Sequence, residues 1–207
     1  MNKSKIMEEN ELDSYKAIVM GASAGGIEAL GNILPQLPKS YPLPIIIVLH
    51  IRSDQPSLLS ELFGSKTELR VKEAEEKEVI QPGTIYFASP GYHLLIEQDL
   101  TFSISTEDPV NFSRPSIDIL FETASDAFGR HLVGVLLTGA NQDGAAGLKQ
   151  IHEAGGLAVI QDPATAQART MPEAGAAAIA ATQRQVLSLD GIAGMLLSFN
   201  TAVGALK

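Results

Sequence analysis

The sequence predicts an α/β fold: a doubly wound, mostly parallel sheet with helices on both faces and an added antiparallel hairpin. Three observations predict it. From Tyr15 onward, short apolar runs alternate with helical patterns, the order that builds parallel sheets. The run Pro44-Ile-Ile-Ile-Val-Leu49 is apolar throughout, as a strand covered by helices on both faces must be. In the middle third, strand-like pieces separated by Gln81-Pro-Gly and Ser89-Pro-Gly turns replace the helices, which suits a hairpin.

The first strand, residues 16–20, passes through Gly21-Ala-Ser23-Ala-Gly25 into a helix over 26–34, whose Ile27, Leu30, Ile33 and Leu34 share a face. Pro35 and Pro38 end it. The second strand, 44–49, ends on His50. A helix over 55–63 starts with Pro56 in its first turn, where a missing N–H is harmless. Strand-like pieces follow at 69–74, 84–88, 93–97 and 100–104, and the last two form the hairpin across Gln98-Asp99, carried on the parallel sheet. The charged run Lys72-Glu-Ala-Glu-Glu-Lys-Glu78 reads as a solvated loop. Ser116 caps a helix over 116–128, with Asp118 in its first turn where negative charge is favoured. A strand over 131–137 runs into Thr138-Gly-Ala-Asn-Gln-Asp143-Gly-Ala-Ala-Gly147, a small-residue turn opening a helix to Ala154. A strand over 157–161, an Ala-rich helix from Met171-Pro172, a strand over 186–189 and a helix over 191–199 complete the pattern. No long linker, low-complexity tract or repeat interrupts it. Residues 15–207 therefore read as a single domain behind a mobile acidic tail, 1–14.

Composition excludes several function classes. The 207 residues carry 24 acids against 15 bases, net charge −9, which argues against a nucleic-acid footprint. Aromatics are 5% and Trp is absent, so base-stacking surfaces are not expected. With no cysteine, thiol catalysis, disulfides and thiolate metal sites are ruled out. No stretch reaches the ~18 consecutive apolar residues of a membrane span, and the tail lacks the apolar core of a signal peptide. A cytoplasmic protein with no membrane insertion is expected.

Gly21-Ala-Ser23-Ala-Gly25 fits the G-x-S-x-G nucleophile elbow, in which small neighbours permit a sharp strand-to-helix reversal. A helix start beyond it offers free N–H groups to a developing oxyanion. Two other readings stand beside this one. The turn could be a plain crossover, or a dinucleotide site, although Ser23 occupies the second glycine position of that fingerprint and no acidic ribose partner follows. A Walker loop is excluded because no G-K-[ST] follows. A serine nucleophile also needs a base and an acid.

Topology supplies candidates. Ligands of open parallel sheets collect beyond the carboxyl ends of the strands, where Ser23, His50 and Asp143 all fall. Serine is a poor nucleophile near neutral pH, so His50 would take its proton while Asp143 fixes the imidazole tautomer. Taken singly, His50 could just end a buried strand and Asp143 could cap its own helix. His131 begins a strand at the opposite edge and His152 lies within a helix, while His93 stays open as an alternative base.

The stretches Gly21-Ala-Ser-Ala-Gly-Gly26, Val48-Leu-His50, Arg114-Pro-Ser-Ile-Asp118, Leu137-Thr-Gly-Ala-Asn-Gln-Asp-Gly-Ala-Ala-Gly147 and Met171-Pro172 together resemble the CheB-type chemotaxis protein-glutamate methylesterases. Pro82-Gly-Thr-Ile-Tyr-Phe-Ala-Ser-Pro90 and Asp162-Pro163 resemble that family as well. The resemblance implies a Ser23–His50–Asp143 triad, with backbone N–H groups of Ala24 and Ala140 as oxyanion donors. It implies hydrolysis of glutamate γ-methyl esters on chemoreceptor cytoplasmic helices or a related signalling protein, and deamidation of receptor glutamines. Ala24 stands where the chemotaxis enzymes often carry Thr, and Ala140-Asn-Gln where they typically carry Met-Gly-Asn. The typical enzyme also has a receiver domain, which fourteen tail residues do not supply, so activity independent of phosphoryl donors is expected. No cofactor is expected, since there is no phosphate loop and no cluster of metal ligands. The reading from a different class is a non-catalytic signalling module derived from such an esterase.

Overall fold

A computed structural model describes residues 15–51 and 57–204. The tail expected over 1–14 and the Pro56 start of the second helix lie outside the described residues. Seven strands form one sheet: β1 (Ala17–Ala22), β2 (Ile45–Leu49), β3 (Arg70–Glu73), β4 (Thr84–Phe87), β7 (Leu132–Leu136), β8 (Leu157–Gln161) and β9 (Gln185–Leu187). They run in the order β3-β4-β2-β1-β7-β8-β9, and every pairing is parallel. The expected architecture is therefore present, with the main sheet wholly parallel.

Strand β1 alternates its side chains between two cores. Ile18, Met20 and Ala22 face helices α1 (Gly26–Ile33), α2 (Leu59–Gly64) and α6 (Leu189–Gly204). Ala17 and Val19 face α3 (Ile117–Phe128), α4 (Ala145–Glu153) and α5 (Thr170–Ala178). This double covering is why Ile45 through Leu49 show no polar face: all five are buried. Ser116 caps α3 as expected, its hydroxyl accepting the Ile119 N–H at 3.5 Å.

The expected antiparallel hairpin is present. Strands β5 (His93–Ile96) and β6 (Phe102–Ser105) pair antiparallel as a sheet of their own and are not hydrogen-bonded into the main sheet. Their Leu94, Ile96 and Phe102 pack in the core with Phe121 and Ala124 of α3, and the Phe102 ring meets Tyr86 of β4 edge-on at 4.8 Å. Helix α2 starts at Leu59, shorter than the stretch expected from 55.

Helices α3 and α4 approach closely through Gly147. A Cβ there would lie 2.6 Å from the Phe121 Cβ and 2.9 Å from the Asp118 carbonyl oxygen. Gly147→Ala gains helix propensity, about 1 kcal/mol, yet the backbone oxygen cannot move aside as a flexible side chain could. Net destabilisation of roughly 1–3 kcal/mol is expected. It is read as a lower urea midpoint at unchanged m-value.

The chain leaves β1 toward β2 on one side and leaves β7 toward β8 on the other. Adjacent strands β1 and β7 thus mark the switch point, whose carboxyl edge is the natural ligand crevice of such sheets.

Candidate active site

Ser23, His50 and Asp143 lie beyond the carboxyl ends of β1, β2 and β7, which are neighbours in the sheet. Backbone hydrogen bonds knit these ends together. The Ser23 N–H donates to the Thr138 carbonyl at 2.9 Å, and the His50 N–H to the Ala22 carbonyl at 3.0 Å. Gly25, with φ 82°, turns the chain into α1, and a Cβ there would meet the Gln167 side chain at 2.6 Å. Only glycine satisfies both that conformation and that contact.

The His50 ring uses Nε2 to contact Asp143 Oδ2 at 2.9 Å. An ionised carboxylate can only accept, so His50 carries its proton on Nε2 and presents the Nδ1 lone pair as an acceptor. Ser113 Oγ lies 3.5 Å from Nδ1. Ser23 and His50 border one recess of about 670 Å³, and the Ser23 hydroxyl makes no hydrogen bond to a described residue. Catalytic hydrogen bonds of this kind often tighten only when substrate is bound.

Asp143 is fully buried and is held by five donors. Oδ2 accepts from His50 and from the Ile117 N–H at 2.7 Å. Oδ1 accepts from Ser116 Oγ at 2.8 Å, from Asn111 Nδ2 at 3.2 Å and from the Asp118 N–H at 3.2 Å. Burial pushes its carboxyl up, but the bonds from His50, Ile117, Asn111 and Ser116 outweigh it, so Asp143 titrates below the ordinary carboxylate value. Asp143 does not cap its own helix, whose N-cap is Gly144 without a side-chain bond. It caps the start of α3, where the helix dipole favours a negative charge. Burial pushes neighbouring Asp118 the other way, up, assisted by the Asp143 charge and opposed by the Gly147 N–H.

Sequence reasoning missed Asn111, whose amide joins Asp118 Oδ2 at 2.8 Å and Asp143 Oδ1, and missed Ser116 as a donor to Asp143. It also missed Thr138. The Thr138 hydroxyl lies 2.8 Å from the Ala24 carbonyl and accepts the Ala168 N–H at 2.9 Å, tying the Ser23 turn to the loop before α5. Among the described residues, no backbone hydrogen bond consumes the Ala24 or Ala140 N–H. His93, the alternative base, is wholly buried: its Nδ1 accepts the Ser116 N–H at 3.1 Å and its Nε2 faces the Asp108 carbonyl at 3.1 Å. Both ring nitrogens are thus occupied away from the recess. Among the described residues no group of acids and histidines could hold a metal ion.

Residues 18–196, from β1 into α6, match the family model described as CheB methylesterase. The chain belongs to the CheB methylesterase family. It is 53% identical to a provisionally named Leptospira interrogans protein-glutamate methylesterase/protein-glutamine glutaminase, over 89% of this chain and 94% of that protein. It is 35% identical to the protein-glutamate methylesterase FrzG of Myxococcus xanthus, over 89% of this chain but 55% of FrzG. The crystal structure of the Thermotoga maritima CheB methylesterase catalytic domain superposes with a TM-score of 0.83 at 31% identity, covering 89% of this chain and 98% of that one. The CheB methylesterase span takes in Ser23, His50 and Asp143 together with the Asn111–Asp118 segment that holds Asp143.

Proposed function

We propose that this chain is a protein-glutamate methylesterase acting on chemoreceptors through a Ser23–His50–Asp143 triad. The observation that carries the reading is the 2.9 Å contact of His50 Nε2 with a buried, five-donor Asp143, beside a serine at the end of the adjacent strand. Membership of the CheB methylesterase family supports it, and so do relatives named for this reaction.

With Nε2 held by Asp143, His50 acts through Nδ1, the reverse of the serine-protease arrangement, in which the acid holds Nδ1. Nδ1 takes the Ser23 proton as Oγ attacks the γ-carbonyl of the ester. Negative charge then develops on the carbonyl oxygen, and the Ala24 and Ala140 N–H groups, which no backbone hydrogen bond uses among the described residues, are its donors in this reading. Collapse expels methoxide, which takes the proton from His50 and leaves as methanol. A glutamyl ester remains on Ser23. Water, deprotonated by the same nitrogen, cleaves that ester to give the glutamate carboxylate and restores the serine. A glutamine γ-carboxamide reacts in the same way, with ammonia as the leaving group, which makes deamidation the second activity. Asp143 keeps one tautomer in place and stabilises the imidazolium during both halves.

Residues 15–207 are taken as one catalytic domain with no cofactor in the chemistry. The site of action is cytoplasmic, because the proposed substrate is the cytoplasmic helices of receptors. No helix among the described residues is long and apolar enough to cross a membrane. The test is methanol release from a methylated chemoreceptor cytoplasmic fragment. Wild type is expected to release methanol in proportion to the γ-methyl esters present. Receptor binding without methanol or ammonia release would favour the non-catalytic module.

A further inference from the structure

Val110 and Ser113 close a two-residue hairpin. The Val110 N–H donates to the Ser113 carbonyl at 3.2 Å and the Ser113 N–H returns to the Val110 carbonyl at 2.9 Å. Both central residues have positive φ, 49° at Asn111 and 61° at Phe112. Two positive φ values are the mark of a type I′ turn, whose second central position is ordinarily glycine. Asn tolerates this region through its short polar side chain, whereas a bulky aromatic residue is an outlier there. The strain is not relieved by packing. Phe112 is 104% exposed, more than any other large hydrophobic residue described.

The turn belongs to the site on its inner side. Asn111 points its amide at Asp118 and Asp143. Arg114 staples the incoming chain by donating from Nη1 to the Thr106 carbonyl at 2.8 Å and the Glu107 carbonyl at 2.9 Å. Phe112 is thus presented by a preorganised loop, and its ordering cost is already met before anything binds. It borders a cleft of about 1010 Å³ that reaches His50 and carries the apolar side chains of Ile27, Leu58 and Leu62. That cleft is far larger than one esterified glutamate side chain, so it suits a polypeptide.

We propose that Phe112 is a docking residue for the protein substrate. Its ring takes an apolar side chain from the same amphipathic helix that carries the reacting glutamate ester. The proposal rests on the methylesterase reading and adds what selects the substrate: an apolar neighbour of the ester, which an isolated glutamate ester lacks.

The test sets stability against binding. Phe112→Gly installs the residue this turn prefers, so the melting temperature should rise by roughly 2 °C. In a Ser23→Ala background, affinity for a methylated chemoreceptor cytoplasmic fragment should fall about tenfold, as for loss of an aromatic anchor. With Ser23 present, KM for the fragment should rise by about the same factor while kcat at saturation changes by less than about twofold. Phe112→Leu, which keeps an apolar side chain, should restore most of the binding. A merely structural role would move stability and binding together. Unaltered fragment affinity in Phe112→Gly would overturn docking and leave the esterase reading standing. Phe112-dependent binding by a wild type that releases no methanol would overturn the esterase reading and leave docking standing. A wild-type dimer abolished by Phe112→Gly, with fragment affinity unchanged, would assign the ring to a second copy of the chain and overturn the proposal.

Discussion

Ser23→Ala should lower methanol release from methylated receptor by about 10⁴-fold or more, since nucleophile and base act as a unit in serine hydrolases. Stability should stay within about 0.5 kcal/mol of wild type in urea titration. The two halves of this expectation have separate causes. The Ser23 hydroxyl makes no hydrogen bond to a described residue, and the backbone bond from its N–H to Thr138 survives the change. Removing Oγ empties no core volume, because the residue lies at the edge of an open recess. His50→Ala should be comparably inactive, and the double variant little worse than either, because a base without its nucleophile has nothing to deprotonate. Retention of most activity by Ser23→Ala would move the chemistry elsewhere and end the triad reading.

The placement of these residues was legible because strands in a doubly covered sheet announce themselves as short apolar runs. Ala17–Ala22, Ile45–Leu49 and Leu132–Leu136 were readable in this way, and Ser23, His50 and Asp143 follow from where each run stops. What periodicity does not carry is the identity of the surface that covers an apolar face. Leu94, Ile96 and Phe102 therefore read as a hairpin carried on the sheet, but not as one that also packs against α3. The donors that hold Asp143 were illegible for a related reason. Its local sequence suggests a cap for its own helix, while its donors at Asn111, Ser116, Ile117 and Asp118 lie 25 or more residues upstream. His93 failed as a base on similar grounds: hydrogen bonds to Ser116 and Asp108, invisible in the sequence, use both nitrogens. Nothing in the sequence marks Asn111 and Phe112, since only the structure reveals that one is bound inward and the other held outward under strain.

Asp143→Asn, unlike Ser23→Ala, should harm both chemistry and scaffold. The analogous change in a serine protease lowers kcat by about 10⁴-fold through the wrong imidazole tautomer, and a similar loss is expected here. Stability should also fall, by about 2 kcal/mol at neutral pH, the scale of leaving buried donors unmatched. Each Asp143 oxygen accepts more than one hydrogen bond, including the Ile117 N–H on one side and the Asp118 N–H on the other. Whichever way the amide is turned, its nitrogen opposes donors that cannot rotate away. The pH dependence has a definite sign. The fold lowers the Asp143 pKa, so its stabilisation is present above the unfolded value, about 3.9, and is lost as pH falls through the still lower folded value. Asp118, raised by burial, works in the opposite direction, its ionisation weakening the fold as pH rises. The gap between wild type and Asp143→Asn should therefore be widest at neutral pH and narrow in acid, as read by urea midpoints at pH 7 and near pH 3. A gap that stays constant across that range would mean that the Asp143 charge contributes nothing to the start of α3. The five-donor arrangement would then not be what holds His50 in place.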